Sequence, residues 1–119
     1  MKFRCERDVL DRAFSITSRA VSSRGGVQPV LSGLHLDLTG DRLSVVGSDL
    51  DLTIRVDAAV GGQEDGDAVL PAKLATDIVH ALDSGQVEIA VDEEGVRITS
   101  GRSDFSLRVM AADEFPRFE

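Results

Sequence analysis

An internal repeat constrains the fold of this chain more than any other feature of its sequence. The segment LSVVGSDLDLTIRV, residues 43–56, lies over VRITSGRSDFSLRV, residues 96–109, at an offset of 53 residues. The same offset places LHLDLTGDR over VEIAVDEEG without a gap, and the best agreement is DLTIRV over DFSLRV. Each half of the chain therefore carries the same three segments, and the fold is predicted to contain two similar units.

The repeated segments have the pattern of antiparallel strands. Apolar and polar residues alternate with a period of two in LHLDL and VEIAV, as in strands with one buried face. Turn signals at TGDR and DEEG separate them, as in short hairpins. Upstream of each meander, a short strand (MKFRCE or GDAVLPA) leads into a segment of helical period. We therefore predict an α+β fold: a β-α-β-β-β unit made twice, with eight short strands and two helices packed side by side on antiparallel sheets.

The helical segments show which faces should be buried. Apolar residues recur at a spacing of three and four residues, the pattern of an amphipathic helix. Asp8 and Asp11 suit the first turn of the first helix, where free amides and the positive end of the dipole favour carboxylates. The predicted buried stripes are Leu10, Ala13, Phe14 and Thr17 in the first helix, and Leu74, Ile78, Ala81 and Leu82 in the second.

Length and composition predict one soluble domain over residues 1–119. A chain of 119 residues with 42% hydrophobic content can bury one core but not two ordinary ones. It has neither a long apolar run nor a basic-then-apolar leader, so we expect a cytoplasmic protein without a membrane partner. The single cysteine, Cys5, is predicted to be a buried thiol beside Phe3 on the first strand.

The charge distribution favours an acidic body with one weakly basic face. The formal net charge of −8 argues against a surface that is basic all over. Acidic residues crowd the apparent turns GGQEDGD and DEEG, whereas several arginines fall in the first helix and the loop after it: Arg7, Arg12, Arg19 and Arg24.

The polar residues give weak support for an enzyme. Alternation would put Asp49 and Asp51 of GSDLDL on one strand face, but two carboxylates are too few ligands for an all-protein metal site, and turn capping is the better interpretation. His35 and His80 lie far apart in sequence, without a nucleophile at hydrolase spacing, and no phosphate-binding glycine loop is present. We expect no catalytic residue, no metal and no cofactor.

The exposed helix faces are more informative. Arg12, Ser15 and Arg19 share one side of the first helix, and a similar spacing in the second joins Lys73, Asp77 and His80. If the two helices pack together, these sides form a patch of modest positive charge that can hold phosphates without reading bases. A solvated helix face without a ligand is the alternative.

The sequence resembles the β subunit of bacterial DNA polymerase III, the sliding clamp, over nearly its entire length. The motifs that carry the resemblance follow that family's N-terminal domain in order: MKFRCERDVL, PVLSGLHL, VVGSDLDLTI, VLPAK and SGRSDFSLRVMAADEFP. The resemblance implies a non-catalytic DNA-clamp fold with three domains per chain. In that family two chains join head to tail, so that helices line a hole around duplex DNA.

The resemblance also implies roles for individual residues. Those expected to face DNA, non-specifically, are Arg12, Arg19, Arg24, Lys73 and His80. Those expected at the interface with a second clamp chain are Ile78, Leu82, Arg102, Asp104, Phe105 and Leu107. Phe105 could instead fill this domain's own core. Asp104 stands where relatives commonly carry a basic residue, and the loop around Arg24 differs in length from that of relatives.

The resemblance makes this chain the first of three domains. The groove that receives the peptide motif of DNA polymerase III and of the clamp loader lies between the other two, so these partners are expected to bind outside residues 1–119. Two functional alternatives remain at this point. They are a protein-interaction domain without DNA contact, and a metal-dependent enzyme that uses Asp49 and Asp51.

Overall fold

The computed structural model of the chain describes residues 1–21 and 29–116. Within these ranges the chain forms nine strands and two helices. In chain order they are β1 (Lys2–Glu6), α1 (Arg7–Thr17), β2 (Gly33–Thr39), β3 (Arg42–Ser48), β4 (Thr53–Ala59), β5 (Gly61–Glu64), β6 (Gly66–Pro71), α2 (Ala72–Ala81), β7 (Gln86–Asp92), β8 (Gly95–Ser100) and β9 (Ser103–Leu107).

The strands form two antiparallel sheets, and each sheet combines strands from both repeats. One sheet has the order β5-β1-β7-β8-β9 and the other β4-β3-β2-β6. The first strand of each unit leaves its own meander and pairs with the other: Phe3 of β1 lies opposite Ile89, and Leu70 of β6 lies opposite Leu34. The doubled α+β architecture is confirmed, and the exchange of first strands ties the two units into one folding domain.

The number of strands differs from the predicted eight. The segment GGQE, interpreted as part of an acidic turn, forms β5 and pairs with β1 along the edge of the larger sheet. Neighbouring backbone leaves no room for a side chain here: a Cβ on Gly62 would lie 1.7 Å from the carbonyl oxygen of Gly40. This glycine-rich, polar segment forms a strand because β1 offers an edge to pair with. The pattern of residues within the segment does not indicate that pairing.

The repeat holds for the first two strands of each meander and fails at the third. A four-residue loop, 49–52, joins β3 to β4, whereas the two-residue turn Gly101–Arg102 joins β8 to β9. As a result Leu43 lies opposite Ala58, while the repeat-equivalent Val96 lies opposite Leu107. Leu107 therefore corresponds to Ala58, so the ungapped match of DLTIRV to DFSLRV is wrong by four residues in three dimensions.

Helix α1 buries the predicted face. Leu10, Ala13, Phe14 and Thr17 are all buried, and the Thr17 hydroxyl donates to the carbonyl oxygen of Ala13 at 2.7 Å. The end of the helix lies directly on β3, since a Cβ on Gly47 would stand 2.2 Å from the Thr17 carbonyl oxygen. Only glycine allows this approach between helix and sheet.

The predicted face of α2 is rotated. Its buried stripe is Ala72, Ala75 and Val79, followed by Leu82 just beyond the helix. Leu74 is 51% exposed and Ala81 is exposed as well, so both were wrongly assigned to the core. The helix is therefore turned so that Ala72, Ala75 and Val79 face the core and Leu74 faces outward.

The main core lies between the two helices and the inner faces of both sheets. Its largest fully buried side chains include Phe3, Phe14, Leu34, Leu36, Leu70, Ile89 and Ile98. Cys5 belongs to this core, as predicted, and burial raises the pKa of its thiol to about 11. A thiol held protonated by burial is a poor nucleophile, which fits a packing role.

A smaller cluster covers the outer face of the four-stranded sheet. Val30, Leu31 and Phe115 pack there against Val69. The chain after β9 is anchored by a backbone bridge between Met110 and Val69 and by stacking of Phe115 on His35, with ring centroids 5.3 Å apart. His35 also lies 2.9 Å from Asp67, so its role here is structural.

Candidate functional site

The two helices lie side by side and antiparallel, and they form one face of the domain. Near the end of α1, Ser18 hydrogen-bonds to Thr76 at 2.8 Å. Farther back along α1, Asp11 contacts the Nδ1 atom of His80 near the end of α2 at 3.1 Å. The outward sides of both helices therefore belong to a single continuous surface.

That surface, here called the helix face, carries the predicted basic residues. Arg12, Arg19, Lys73 and His80 are all exposed. Lys73 is partly neutralised by Asp77 at 3.2 Å, and the Asp11 carboxylate that contacts His80 also pairs with Arg7 at 3.2 Å. Within residues 1–21 and 29–116, no ion pair involves Arg12 or Arg19. Arg12 and Arg19 are therefore the basic residues of the helix face that no described acid compensates; Arg24 lies outside the described residues.

A second surface lies at the free edge of the five-stranded sheet, along β9. Phe105 lies opposite Ile98, so its ring points to the same side of the sheet as the core. It is nevertheless 38% exposed because, among the described residues, no strand pairs with the outer side of β9. The ring therefore sits at the rim of the core with one side uncovered, which leaves both predicted roles for Phe105 in place.

The other residues expected at this edge differ in accessibility. Arg102 and Asp104 are exposed, and Ile78 is half-buried against the core. Leu82 and Leu107 are buried within the domain itself, at 6% and 9% exposure. The exposed Leu74 of α2 was not expected at the surface, and the spacing of apolar residues along the helix gave no signal for it.

Asp104 has a partner within its own sheet. Arg97 on β8 donates two hydrogen bonds to the Asp104 carboxylate, at 2.9 and 2.5 Å. These bonds lower the pKa of Asp104 and raise that of Arg97. The acidic residue on the edge strand is therefore compensated locally.

The acidic pair considered for metal chemistry is used for a turn. Asp49 and Asp51 lie in the loop between β3 and β4, and not on a strand face as alternation suggested. An Asp49 carboxylate oxygen accepts hydrogen bonds from the backbone amides of Asp51 and Leu52, at 3.0 and 2.7 Å. Within the described residues, no cluster of three or more histidine, cysteine or acidic side chains could hold a metal ion.

The outer face of the four-stranded sheet carries a polar network around Asp57. Its carboxylate accepts hydrogen bonds from Ser44 at 2.6 Å, from Arg42, and from Arg55 at 3.1 Å. These bonds, led by the one from Ser44, lower the pKa of Asp57 from 3.8 to about 2. The network orders the side chains of β3 and β4 at the surface.

The Asp57 network predicts a pH-dependent contribution to stability. A depressed carboxyl pKa stabilises the fold above the unfolded pKa of 3.8, and this contribution disappears as the pH falls towards about 2. Asp57→Asn should therefore lower the free energy of unfolding at about pH 6, by less than about 1 kcal/mol because the network is exposed. Urea unfolding of both proteins should give the same stability near pH 2. The matched control is Glu93→Gln, which removes one exposed carboxylate outside this network. It should change the free energy of unfolding little at either pH.

None of the helices within the described residues is long and apolar enough to cross a membrane.

Solved structures with the same architecture are bacterial sliding clamps. DNA polymerase III subunit beta of Pseudomonas aeruginosa superposes with a TM-score of 0.93 at 30% identity, over 100% of this chain and 32% of that chain. The pol III beta of Caulobacter crescentus gives a TM-score of 0.93 at 33% identity, with the same coverage. The fold is that of a sliding-clamp domain.

Comparison of amino-acid sequences identifies the family of the chain. A beta sliding clamp of Synechocystis sp. is 37% identical over 125 aligned residues, and one of Streptomyces coelicolor is 34% identical over 116. Residues 1–119 match the family described as DNA polymerase III beta subunit, N-terminal domain, and the chain belongs to that family. It spans about a third of the length of these relatives, 32% and 31%.

Proposed function

We propose that this chain is the first domain of a DNA sliding clamp, a ring that encircles duplex DNA and keeps the replicative polymerase on its template. The observation that carries the proposal is the helix face, where Arg12 and Arg19 form no ion pair with any described residue, on a protein of net charge −8. Membership of the DNA polymerase III beta subunit family supports it.

The helix face suits sliding better than tight binding. Arg12 and Arg19 attract phosphates, while the acids paired with Lys73 and His80 limit the total positive charge. Attraction to phosphates is independent of base sequence and weakens with salt, so a duplex can move along such a surface. Acidic residues elsewhere disfavour adsorption of DNA to the outside of the protein.

The β9 edge is proposed to close the ring. Phe105 offers a partly exposed aromatic ring beside an unpaired strand, and such an edge is an aggregation hazard unless it is covered. Asp104 and Leu107 lie on the same strand and Arg102 lies in the turn before it. The proposed interface also includes Ile78 of α2 and Leu82 just beyond that helix, as in the family that the chain belongs to. In the parent protein, the partner strand would come from the third domain of a second clamp chain.

The remaining functions are assigned to other parts of the parent protein. Two further domains would complete the chain, and the polymerase and clamp loader would bind there. The clamp would act in the cytoplasm. It would catalyse no reaction, because its role is to stay on DNA through the closed ring.

The charge of the helix face can be tested on this chain. Replacing Arg12, Arg19 and Lys73 together with alanine should weaken its association with duplex DNA. It should also lower the slope of log K against log salt by about 0.9 per residue removed. Fluorescence anisotropy with a labelled duplex between low and moderate salt measures both effects.

The control for this experiment is a charge-matched triple variant on the outer sheet faces, in which Arg4, Arg42 and Arg97 are replaced with alanine. It should leave the salt dependence nearly unchanged. An equal loss of DNA affinity in the two variants would mean that DNA binds the helix face and the sheet faces alike. An unchanged affinity in the helix-face variant would favour a protein-interaction domain.

A further inference from the structure

A cluster of charged side chains joins the start of α1 to the end of α2. The Asp11 carboxylate lies between Arg7 of its own helix and His80 of α2, with Nη1 to Oδ2 at 3.2 Å and Nδ1 to Oδ1 at 3.1 Å. Asp8 lies 3.4 Å from Nε of the same arginine. Histidine is the side chain that changes its charge between about pH 5 and pH 8, so the charge of this cluster varies with pH through His80.

The contact with Asp11 fixes which ring nitrogen of His80 carries the proton. A carboxylate accepts hydrogen bonds and donates none, so the neutral imidazole donates from Nδ1. Nε2, at the other edge of the ring, is then an acceptor. No hydrogen bond from a described residue reaches Nε2, and the side chain is 74% exposed. A further proton therefore enters at Nε2, on the solvent side of the helix face.

None of the other described charged groups around α2 pairs with the His80 ring, since its one ion pair is with Asp11. The charged residues on α1 and just after it are Arg7, Asp8, Asp11, Arg12 and Arg19. Those on α2 and just beyond it are Lys73, Asp77 and Asp83. Those of β2 and β6, which also pack against α2, are His35, Asp37 and Asp67, on the outer face of that sheet. Asp11 is therefore the charged group in direct contact with the ring.

The protonation state of His80 determines what this part of the helix face offers to a phosphate. Phosphate oxygens carry negative charge and accept hydrogen bonds. A neutral ring directs the lone pair of Nε2 outward, so two acceptors would face each other. A protonated ring offers an N–H donor with a positive charge, while Nδ1 keeps its contact with Asp11. Proton uptake thus changes Nε2 from an acceptor into a phosphate-binding donor.

We propose that His80 makes the DNA affinity of the helix face dependent on pH, because association with a duplex is coupled to the uptake of one proton at Nε2. A duplex that binds the protonated ring more tightly raises the population of that form, and a lower pH raises the affinity for the duplex by the same coupling. The inference rests on the proposed function, since it assigns a regulation to the same surface.

The size of the effect follows from the few charges on the helix face. Arg12 and Arg19 are the basic residues there that no described acid compensates, and a protonated His80 adds one positive charge to them. Each phosphate that a protein neutralises adds about 0.9 to the slope of log K against log salt. At about 0.1 M salt, one such contact corresponds to a change of roughly fivefold to tenfold in affinity.

The test compares DNA binding of the chain at about pH 8 and about pH 5.5 by fluorescence anisotropy with a labelled duplex. Lowering the pH should raise the wild-type affinity about fivefold to tenfold at about 0.1 M salt and steepen the salt dependence by about 0.9. His80→Gln should lose this gain, and His80→Arg should bind tightly at both pH values. His35→Gln, which removes the other histidine of the chain, is the control and should keep the wild-type gain. Circular dichroism at both pH values shows whether each variant is folded.

The outcomes separate a failure of this inference from a failure of the proposed function. The inference is overturned if the gain at low pH survives in His80→Gln, or if the wild-type affinity depends on Arg12 and Arg19 but not on pH. Either result leaves the helix face as the DNA-binding surface. If neither the wild-type chain nor His80→Arg binds the duplex at low salt, the inference and the proposed role of the helix face fail together.

A second measurement tests the geometry of the ring directly. Nitrogen-15 chemical shifts of the imidazole at alkaline pH show which ring nitrogen carries the proton, and the expected form has the proton on Nδ1 of His80. The spectrum of His35→Gln assigns the signals. A proton on Nε2 in the neutral ring would contradict the proposal, because the nitrogen on the helix face would then be a donor at every pH. Adding the duplex should move the titration midpoint of His80 to higher pH, and an unchanged midpoint in the bound state would overturn the coupling.

Discussion

Replacing Phe105 with aspartate is expected to open the proposed ring while the domain stays folded. The side chain is 38% exposed at the free edge of the sheet, so the domain itself tolerates a polar residue there. In a closed interface the new carboxylate would be buried without a partner, at a cost of about 3 kcal/mol or more, which weakens subunit association more than about 100-fold. Sedimentation of the parent protein across its dissociation range measures the change.

The matched control for this prediction is Ser106→Asp, which adds the same charge on the opposite side of the same strand. It should alter association much less than Phe105→Asp. If the Phe105→Asp parent protein remains a dimer of wild-type affinity, the aromatic ring belongs to the domain's own core and the interface assignment is wrong. A large loss of thermal stability in the variant would point the same way.

Replacing Phe14 with alanine is expected to destabilise the domain by about 3–5 kcal/mol. The ring is completely buried in the core between the helices and both sheets, where neighbouring elements are held by the exchanged first strands and cannot collapse into the cavity. Equilibrium unfolding in urea provides the free energy. The control is Val9→Ala on the same helix, at a position 38% exposed, which should cost less than about 1 kcal/mol. A small effect of Phe14→Ala would mean that α1 can detach from the sheets.

Patterns confined to short segments predicted the fold well. Alternation located both meanders and their hairpin turns, and the spacing of apolar residues identified the entire buried face of α1. The repeat predicted the doubled unit. Alternation and apolar spacing depend only on residues that are neighbours along one strand or helix, and the repeat needs only a comparison of the chain with itself, so the sequence contains all three signals.

Features that depend on pairing between distant segments were not predictable in the same way. Nothing local to MKFRCE indicates that β1 pairs with β7, and the strand β5 exists only because β1 provides a free edge. The loop between β3 and β4 is longer than the turn between β8 and β9, and this shifts the last strand relative to the repeat. The position of Leu74 outside the core depends on how α2 is rotated about its axis when it packs, which the apolar spacing alone did not determine.

The candidate site was only partly accessible to sequence reasoning. The spacing of basic residues predicted an exposed helix face, but the carboxylates beside them, Asp77 near Lys73 and Asp11 near His80, depend on side-chain geometry and on the packing of the helices. The same holds for Asp104, whose charge is compensated by Arg97 across the sheet. The sequence shows which residues are charged. Whether a charge is neutralised depends on which side chains lie next to it in the folded structure.

The most direct test of the clamp proposal is topological. The parent protein should be loaded onto a nicked circular duplex, the circle linearised, and the fraction of protein that stays bound measured at moderate salt. Loss of the protein on linearisation, with retention on the uncut circle, is the predicted result, because a closed ring slides off a free end. Equal retention on linear and circular DNA would mean that the protein is held by direct contact, and would contradict a sliding clamp.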